Sequence, residues 1–163
     1  MSISQALLGE FDLEMANTRK VLERVPLEKA DWKPHLKSGN LGWLAGHVAN
    51  LPEWVTFTLN SSELDLATAP RNKAPESKQE LLETFEKKAK EARAAIANAK
   101  DQQWSGEWSL KRGGQTLFTM PRAAVVRGFA LNHLIHHRGQ LTVYLRLIDV
   151  PIPGLYGPSA DEK

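Results

Sequence analysis

The sequence predicts an all-α protein, a four-helix bundle with a long crossover between helices two and three and a small β-hairpin before helix four. Three observations predict it. Four stretches of several turns each carry apolar residues at spacings of three and four, as a helix with one buried face does. A polar, proline-containing link of about 15 residues separates the second stretch from the third, long enough to run from one end of a bundle to the other. Between the third and fourth, apolar residues instead flank a Gly-Gly pair, as in a hairpin. At 163 residues the chain is long enough for one well-cored domain and too short for two, so residues 1–163 are expected to form a single domain.

Helix one is predicted over residues 2–24, with Leu7, Leu8, Phe11, Met15, Thr18 and Leu22 along one face and Pro26 ending it. A polar connection, residues 26–40, follows and contains Trp32, Pro34 and Gly39. Helix two starts near Leu41 and places Trp43, His47, Asn50 and Trp54 along one face; Pro52 removes a backbone donor and is expected to kink it. The crossover, residues 62–76, holds Pro70 and Pro75 and allows helices two and three to lie parallel. Ser77-Lys78-Gln79-Glu80 reads as a capping box opening helix three, which continues through Leu81, Leu82, Phe85, Ala89, Ala92 and Ile96 to about Ala99. The hairpin is expected over residues 107–120, with Trp108, Leu110, Leu117 and Phe118 around Lys111-Arg112-Gly113-Gly114. Pro121 suits the first position of helix four, which runs to about Ile148 before Pro151 and Pro153 stop it.

Composition narrows the function classes. Lys and Arg total 21 against 19 Asp and Glu, a formal charge of +2, and the basic residues are scattered rather than gathered into a phosphate-tracking patch; no nucleic-acid partner is expected. The chain has no cysteine, which removes disulfides, thiolate metal sites and a protein thiol nucleophile. The N-terminus lacks the basic start and apolar core of a signal peptide, and a cytoplasmic location is expected. Residues 41–59 are the most apolar window, yet they contain His47, Asn50, Pro52 and Glu53, which suits a buried helix and not a membrane span.

The chemistry concentrates in Asn132-His133-Leu134-Ile135-His136-His137-Arg138-Gly139-Gln140, which holds three of the five histidines. His133 and His137 are one helical turn apart and can grip one metal ion. They lie on a stripe with Val126, Phe129, Leu141, Tyr144 and Ile148, so both are expected to be buried, where metal and an outer hydrogen bond would satisfy each ring. His47 is the third ligand expected. Three neutral imidazoles leave a coordination position open, as catalytic metal sites do, and ring nitrogens are expected about 2.0 to 2.2 Å from the ion. Zinc and nickel are the first choices, although imidazole also suits copper and iron.

The neighbouring residues carry narrower expectations. His136 points to a flank and is the reserve ligand, and His35 is an exposed loop residue. Arg138 projects away from the ligand stripe, toward an ion pair on a neighbouring helix or a substrate carboxylate. Gly139 suggests close approach of another segment, since mid-helix glycine costs roughly 1 kcal/mol relative to alanine. Gln140 and Asn50 are placed to orient imidazoles or bound water. Trp43, Trp54 and Tyr144 pack in the core or line a cavity wall, and the Tyr144 hydroxyl is a candidate proton donor. The tail Ile152-Pro153-Gly154-Leu155-Tyr156-Gly157-Pro158-Ser159 is rich in large apolar groups, as an ordered cover would be; it either shapes a substrate entrance beside the metal or caps exposed core.

Taken together the chain resembles the DinB-like family. The resemblance is carried by Pro26-Leu27-Glu28-Lys29-Ala30-Asp31-Trp32, Leu41-Gly42-Trp43-Leu44-Ala45-Gly46-His47-Val48, His133-Leu134-Ile135-His136-His137-Arg138-Gly139-Gln140-Leu141 and Tyr156-Gly157-Pro158-Ser159-Ala160. It implies a four-helix bundle whose metal triad falls on His47, His133 and His137. It also implies two kinds of activity, transferases that join a low-molecular-weight thiol to an electrophile and maleylpyruvate-isomerase-like enzymes. Because the chain offers no nucleophile of its own, a metal-dependent transferase using an exogenous small thiol and a metal-dependent hydrolase both fit. A non-catalytic metal-binding structural or small-ligand-binding protein is the alternative, favoured by the lack of a carboxylate on the ligand stripes. A homodimer packed through helix one, by Leu8 and Val21, is expected.

Overall fold

A computed structural model describes residues 2–70 and 73–162. Helix α1 spans Ile3–Leu22 and opens with a capping box, Ser2 accepting from the Gln5 backbone and Gln5 accepting in return from the Ser2 N–H. Its buried face holds Leu7, Phe11, Met15 and Leu22. Val21 is fully buried as well, so it offers none of the dimer contact expected through it, and Leu8 is half-buried against the core; the exposed large apolar residues of α1 are Ile3 and Leu13.

Asn40 caps α2, Leu41–Asn50, by accepting from the Trp43 N–H at 2.8 Å. Pro52 divides helix two, and α3 follows as Glu53–Asn60. The proline keeps helical dihedrals, φ −58° and ψ −25°, but contributes no N–H, so the hydrogen-bond ladder is interrupted there. The crossover passes close over α2 at Gly46, where a Cβ would lie 3.0 Å from Pro75.

The crossover also contains a strand absent from the sequence reading. Strand β1, Glu63–Asp65, pairs in parallel with β2, Glu107–Arg112, which pairs antiparallel with β3, Gln115–Pro121, giving the order β1-β2-β3. Three residues are too short to register as an alternating pattern. The Asp65 carboxylate accepts from the backbone of Ala67, Gly113 and Gly114 at 2.7 to 2.8 Å, which ties the crossover to the hairpin turn. Those three bonds hold its pKa below the usual carboxylate value. The turn uses Gly113 and Gly114 at φ +59° and +80°, as the sequence predicts.

Helix α4 spans Lys78–Asn98, capped by Ser77. Glu80 bonds the Glu76 N–H at 2.7 Å rather than that of Ser77, so only half of the expected capping box forms. A short helix α5, Asp101–Ser105, buries Trp104, whose indole donates to Ser4. The last helix departs from expectation twice. Pro121 ends β3 and caps the helix instead of opening it, because its N–H-free backbone closes the ladder opposite Glu107. The helix runs as α6, Arg122–Val125, then a π-helical segment, Val126–Asn132, then α7, His133–Leu147.

These elements form a helical bundle with the small sheet at one side. Helix α4 packs on α1, α2 and α3, and α7 packs on α1 and α2. The main core gathers around Phe11, Leu44, Phe85 and Leu141, and a second cluster of Trp108, Leu110 and Val125 lies under the sheet. Among the described residues no helix is long and apolar enough to cross a membrane.

Helix α7 ends with the Val150 N–H bonded to the Leu145 carbonyl and the Asp149 N–H to that of Arg146, a Schellman arrangement that puts Asp149 at φ 61°. A side chain in this left-handed region is strained, and glycine relieves it at some cost in chain entropy. Asp149→Gly is expected to raise stability by about 0.5 to 1 kcal/mol in denaturant unfolding.

Candidate metal centre

Helix α2 supplies His47, and the first residue of α7, His133, stands one turn before His137. All three are half-buried, less covered than the apolar stripe suggested. Their Nε2 atoms turn toward one another: His133 to His137 at 2.9 Å and His47 to His133 at 3.3 Å. The outward edges of two rings are held elsewhere. The Nδ1–H of His137 donates to Gln140 Oε1 at 2.7 Å, and the His133 ring donates to the Phe129 backbone, a bond that raises its pKa. With their protons on those outward bonds, the inward nitrogens meet lone pair to lone pair, and one shared proton satisfies at most one of the two close pairs. A cation satisfies all three. Two nitrogens at ~2.0 to 2.1 Å from a tetrahedral ion lie ~3.3 to 3.4 Å apart, which matches the wider separation and slightly exceeds the narrower. The donor set therefore fits a divalent metal.

Electrostatics agree with the geometry. Burial first, and then the neighbouring His137 and His133, push the His47 pKa down to about 4 from an ordinary 6.5. Burial also lowers His133 and His137, against the opposing effect of the Phe129 and Gln140 bonds. At neutral pH each ring is thus in the uncharged form that ligation requires.

Trp43 stacks on the His47 ring at 5.1 Å with a 6° interplanar angle, yet remains 51% exposed, so it shields the triad from outside instead of packing in the core. Trp54 does pack inward, between Trp108 and Phe129. The Tyr144 hydroxyl donates to the Gly39 carbonyl at 3.3 Å and so serves the 26–40 connection. Asn50 bonds back to the Gly46 carbonyl rather than to an imidazole. His136 is exposed and outside the cluster, and His35 is exposed as expected.

Gly139 is also exposed, with nothing within 4 Å of an added Cβ; the expected close approach is absent, and nothing in the structure explains this glycine.

Arg138 turns to the opposite side of α7. Only 1% exposed, it pairs with Glu14 of α1 at 2.6 Å and also donates to the Glu14 carbonyl, to Thr18 and to the Tyr156 hydroxyl. The Tyr156 hydroxyl in turn donates to the Glu14 carboxylate. The ion-pair reading of Arg138 holds, and both of its terminal nitrogens are engaged. The tail is anchored to this cluster, and no tail residue lines the cavity beside His47, so the tail covers the α1–α7 side and not the entrance.

That cavity, about 190 Å³, is walled by α2, α3 and the crossover, and Glu53 lines it. The sequence places no carboxylate on the ligand stripes, and Glu53 is not on one. It stands six residues beyond His47, off its helical stripe, so spacing from the ligand does not single it out. Its carboxylate is ion-paired with Lys88 of α4.

Comparison with known proteins agrees with this architecture. The family model of the DinB superfamily matches residues 10–141. The chain is 29% identical over 161 residues to the YrdA protein of Bacillus subtilis strain 168, covering 95% of this chain and 89% of that one. Among solved structures it is similar to a DinB-like protein of Bacillus cereus ATCC 10987, with a TM-score of 0.71, 23% identity, and 93% and 97% of the two chains covered. A DinB-like protein of Bacillus subtilis gives a TM-score of 0.70 at 16% identity, covering 90% and 96%. Another DinB-family structure, from Exiguobacterium sibiricum 255-15, gives 0.66 at 18% identity, covering 93% and 97%. The chain belongs to the DinB superfamily.

Two outcomes follow from this geometry. The histidine pKa values lie below those of the unfolded chain, so protons bind the unfolded state preferentially; metal-free protein is expected to keep its full stability above about pH 6.5 and to lose it progressively toward pH 4, read as a falling denaturant midpoint. Arg138→Ala leaves Glu14 buried without its partner and is expected to cost about 3 to 5 kcal/mol, whereas the double change Glu14→Leu with Arg138→Met costs far less. Equal losses in both variants would assign the cost to packing.

Proposed function

We propose that this DinB-superfamily chain is a divalent-metal protein in which His47, His133 and His137 hold zinc or nickel, and that it acts as a metal-dependent transferase joining an exogenous small thiol to an electrophile. The observation that carries the reading is the convergence of three Nε2 atoms whose outward ring edges, in His133 and His137, are already bonded. A divalent ion bound there supplies Lewis acidity, lowering the pKa of a water or thiol that ligates it.

The chain's own residues do the rest. Gln140 and Phe129 fix the tautomers and orientations of His137 and His133, so that their inward nitrogens stay unprotonated. Trp43 covers the outer face of His47. Glu53, the carboxylate lining the adjoining cavity and paired with Lys88, is assigned as the acceptor of the proton that the thiol gives up. The sulfur then forms the new bond to carbon, and the leaving group departs with the electron pair of the bond that breaks. No cysteine competes for the electrophile or the metal. A cytoplasmic setting, where small thiols are kept reduced, suits this chemistry. A metal-dependent hydrolase would use the same ligands with water in place of the thiol. A carboxylate on the cavity that His47 also lines weighs against a purely structural metal.

Protein purified without chelators or a nickel column is expected to carry about one divalent ion per chain by elemental analysis. His47→Ala, His133→Ala and His137→Ala should each lower metal affinity at least about 100-fold, and His136→Ala should leave it within about twofold. In the cobalt-substituted protein, an added small thiol should produce a thiolate-to-metal absorption band. A protein that neither carries nor takes up metal would sink the reading, and bound metal without a thiol-dependent band would turn it toward the hydrolase.

A further inference from the structure

We propose that the cavity beside His47 is the binding site for the uncharged, compact apolar body of the second substrate, a single aromatic ring or a branched aliphatic group of similar size. The inference rests on the metal-dependent reading, since it names what is brought to that site. Two walls meet there. Leu51, Trp54 and Phe57 form one along α2 and α3, and Leu64, Leu66 and Pro70 form the other along the crossover. Both walls are fixed before any ligand arrives. Trp54 is wedged between Trp108 and Phe129, with ring centroids 6.2 and 5.7 Å away. The crossover is held by the β1–β2 pairing and by the three backbone bonds to Asp65.

Size and charge select the class. An apolar cavity of about 150 Å³ binds benzene, so about 190 Å³ admits one ring with a short substituent and little more. The polar lining consists of His47, Asn50 and Glu53. The Asn50 amide is committed to the Gly46 carbonyl at 2.7 Å and Glu53 to Lys88, and the lining contains no Lys or Arg to hold an anionic body. The lining is otherwise apolar, and transfer of an apolar ring out of water into it is favourable.

Toluene titrated into the metal-loaded full chain tests this, followed by amide and indole resonances. Saturable shifts are expected at Trp54, Leu64, Leu66 and Ala69. Ala69→Phe, which adds a ring to the lining, should weaken toluene at least tenfold with metal content unchanged, and Leu13→Ala, on the exposed face of α1, should leave toluene affinity within twofold. If Ala69→Phe does not fold, Leu66→Ala takes its place, with a several-fold loss expected from the missing wall. Absence of saturable shifts, or undiminished binding in the folded cavity variant, overturns the proposal while leaving the metal centre standing. A chain that takes up no metal fails the functional reading instead, and toluene titration of that same chain still decides whether the cavity binds apolar rings.

Discussion

With the outward protons of His133 and His137 committed, their inward nitrogens face each other at 2.9 Å as two lone pairs and repel unless something positive lies between them, and this constraint organises the site. It is imposed from outside the triad. Gln140 takes the outward proton of His137, and the Phe129 backbone takes that of His133, leaving inward lone pairs with no alternative partner. Burial then depresses all three pKa values, so protonation is a costly way to relieve the repulsion near neutral pH. The same arrangement that is unfavourable for an empty triad favours a divalent cation.

Keeping the rings converged requires α7 to hold one rotation against α1 and α2. Residues 137 and 138 diverge by a helical step of about 100°, so adjacent side chains serve opposite partners. His137 faces α2, and Arg138 reaches the other way into a buried pair with Glu14, to which the tail is joined through Tyr156. A buried ion pair is weak as a source of net stability but strict about geometry, because misalignment leaves desolvated charges unmatched. The tail is thus joined to the face of α7 turned away from the triad, at a distance from the cavity.

Two interruptions of regular helix flank the triad. The π-helical segment ends at Asn132, immediately before His133, and Pro52 breaks helix two one turn after His47. The first contains Phe129, which both bonds the His133 ring and stacks on Trp54. The second starts α3, which carries Glu53, Trp54 and Phe57 into the cavity wall. Irregular helical turns of this kind occur often at functional sites, where they re-aim side chains that regular spacing would send elsewhere.

The helices, their proline stops, the Gly113-Gly114 turn and the residues of the triad were all legible in the sequence, because period, turn chemistry and one-turn spacing are local properties. The DinB superfamily was legible for the same reason: its motifs are short and contiguous. What tertiary structure alone decided is non-local. Strand β1 exists because β2 lies alongside it, three residues having no pattern of their own. Val21 is buried and Trp43 exposed against expectation, since one helix stripe is wider than its strongest apolar positions and the other ends at a site rather than a core. The cavity joins residues on either side of Pro52 to a crossover, and Glu53, off the stripe of His47, lines it with them. Sequence determined which side chains can bind a metal; packing determined that their nitrogens meet, what holds them there, and what shape of molecule fits beside them.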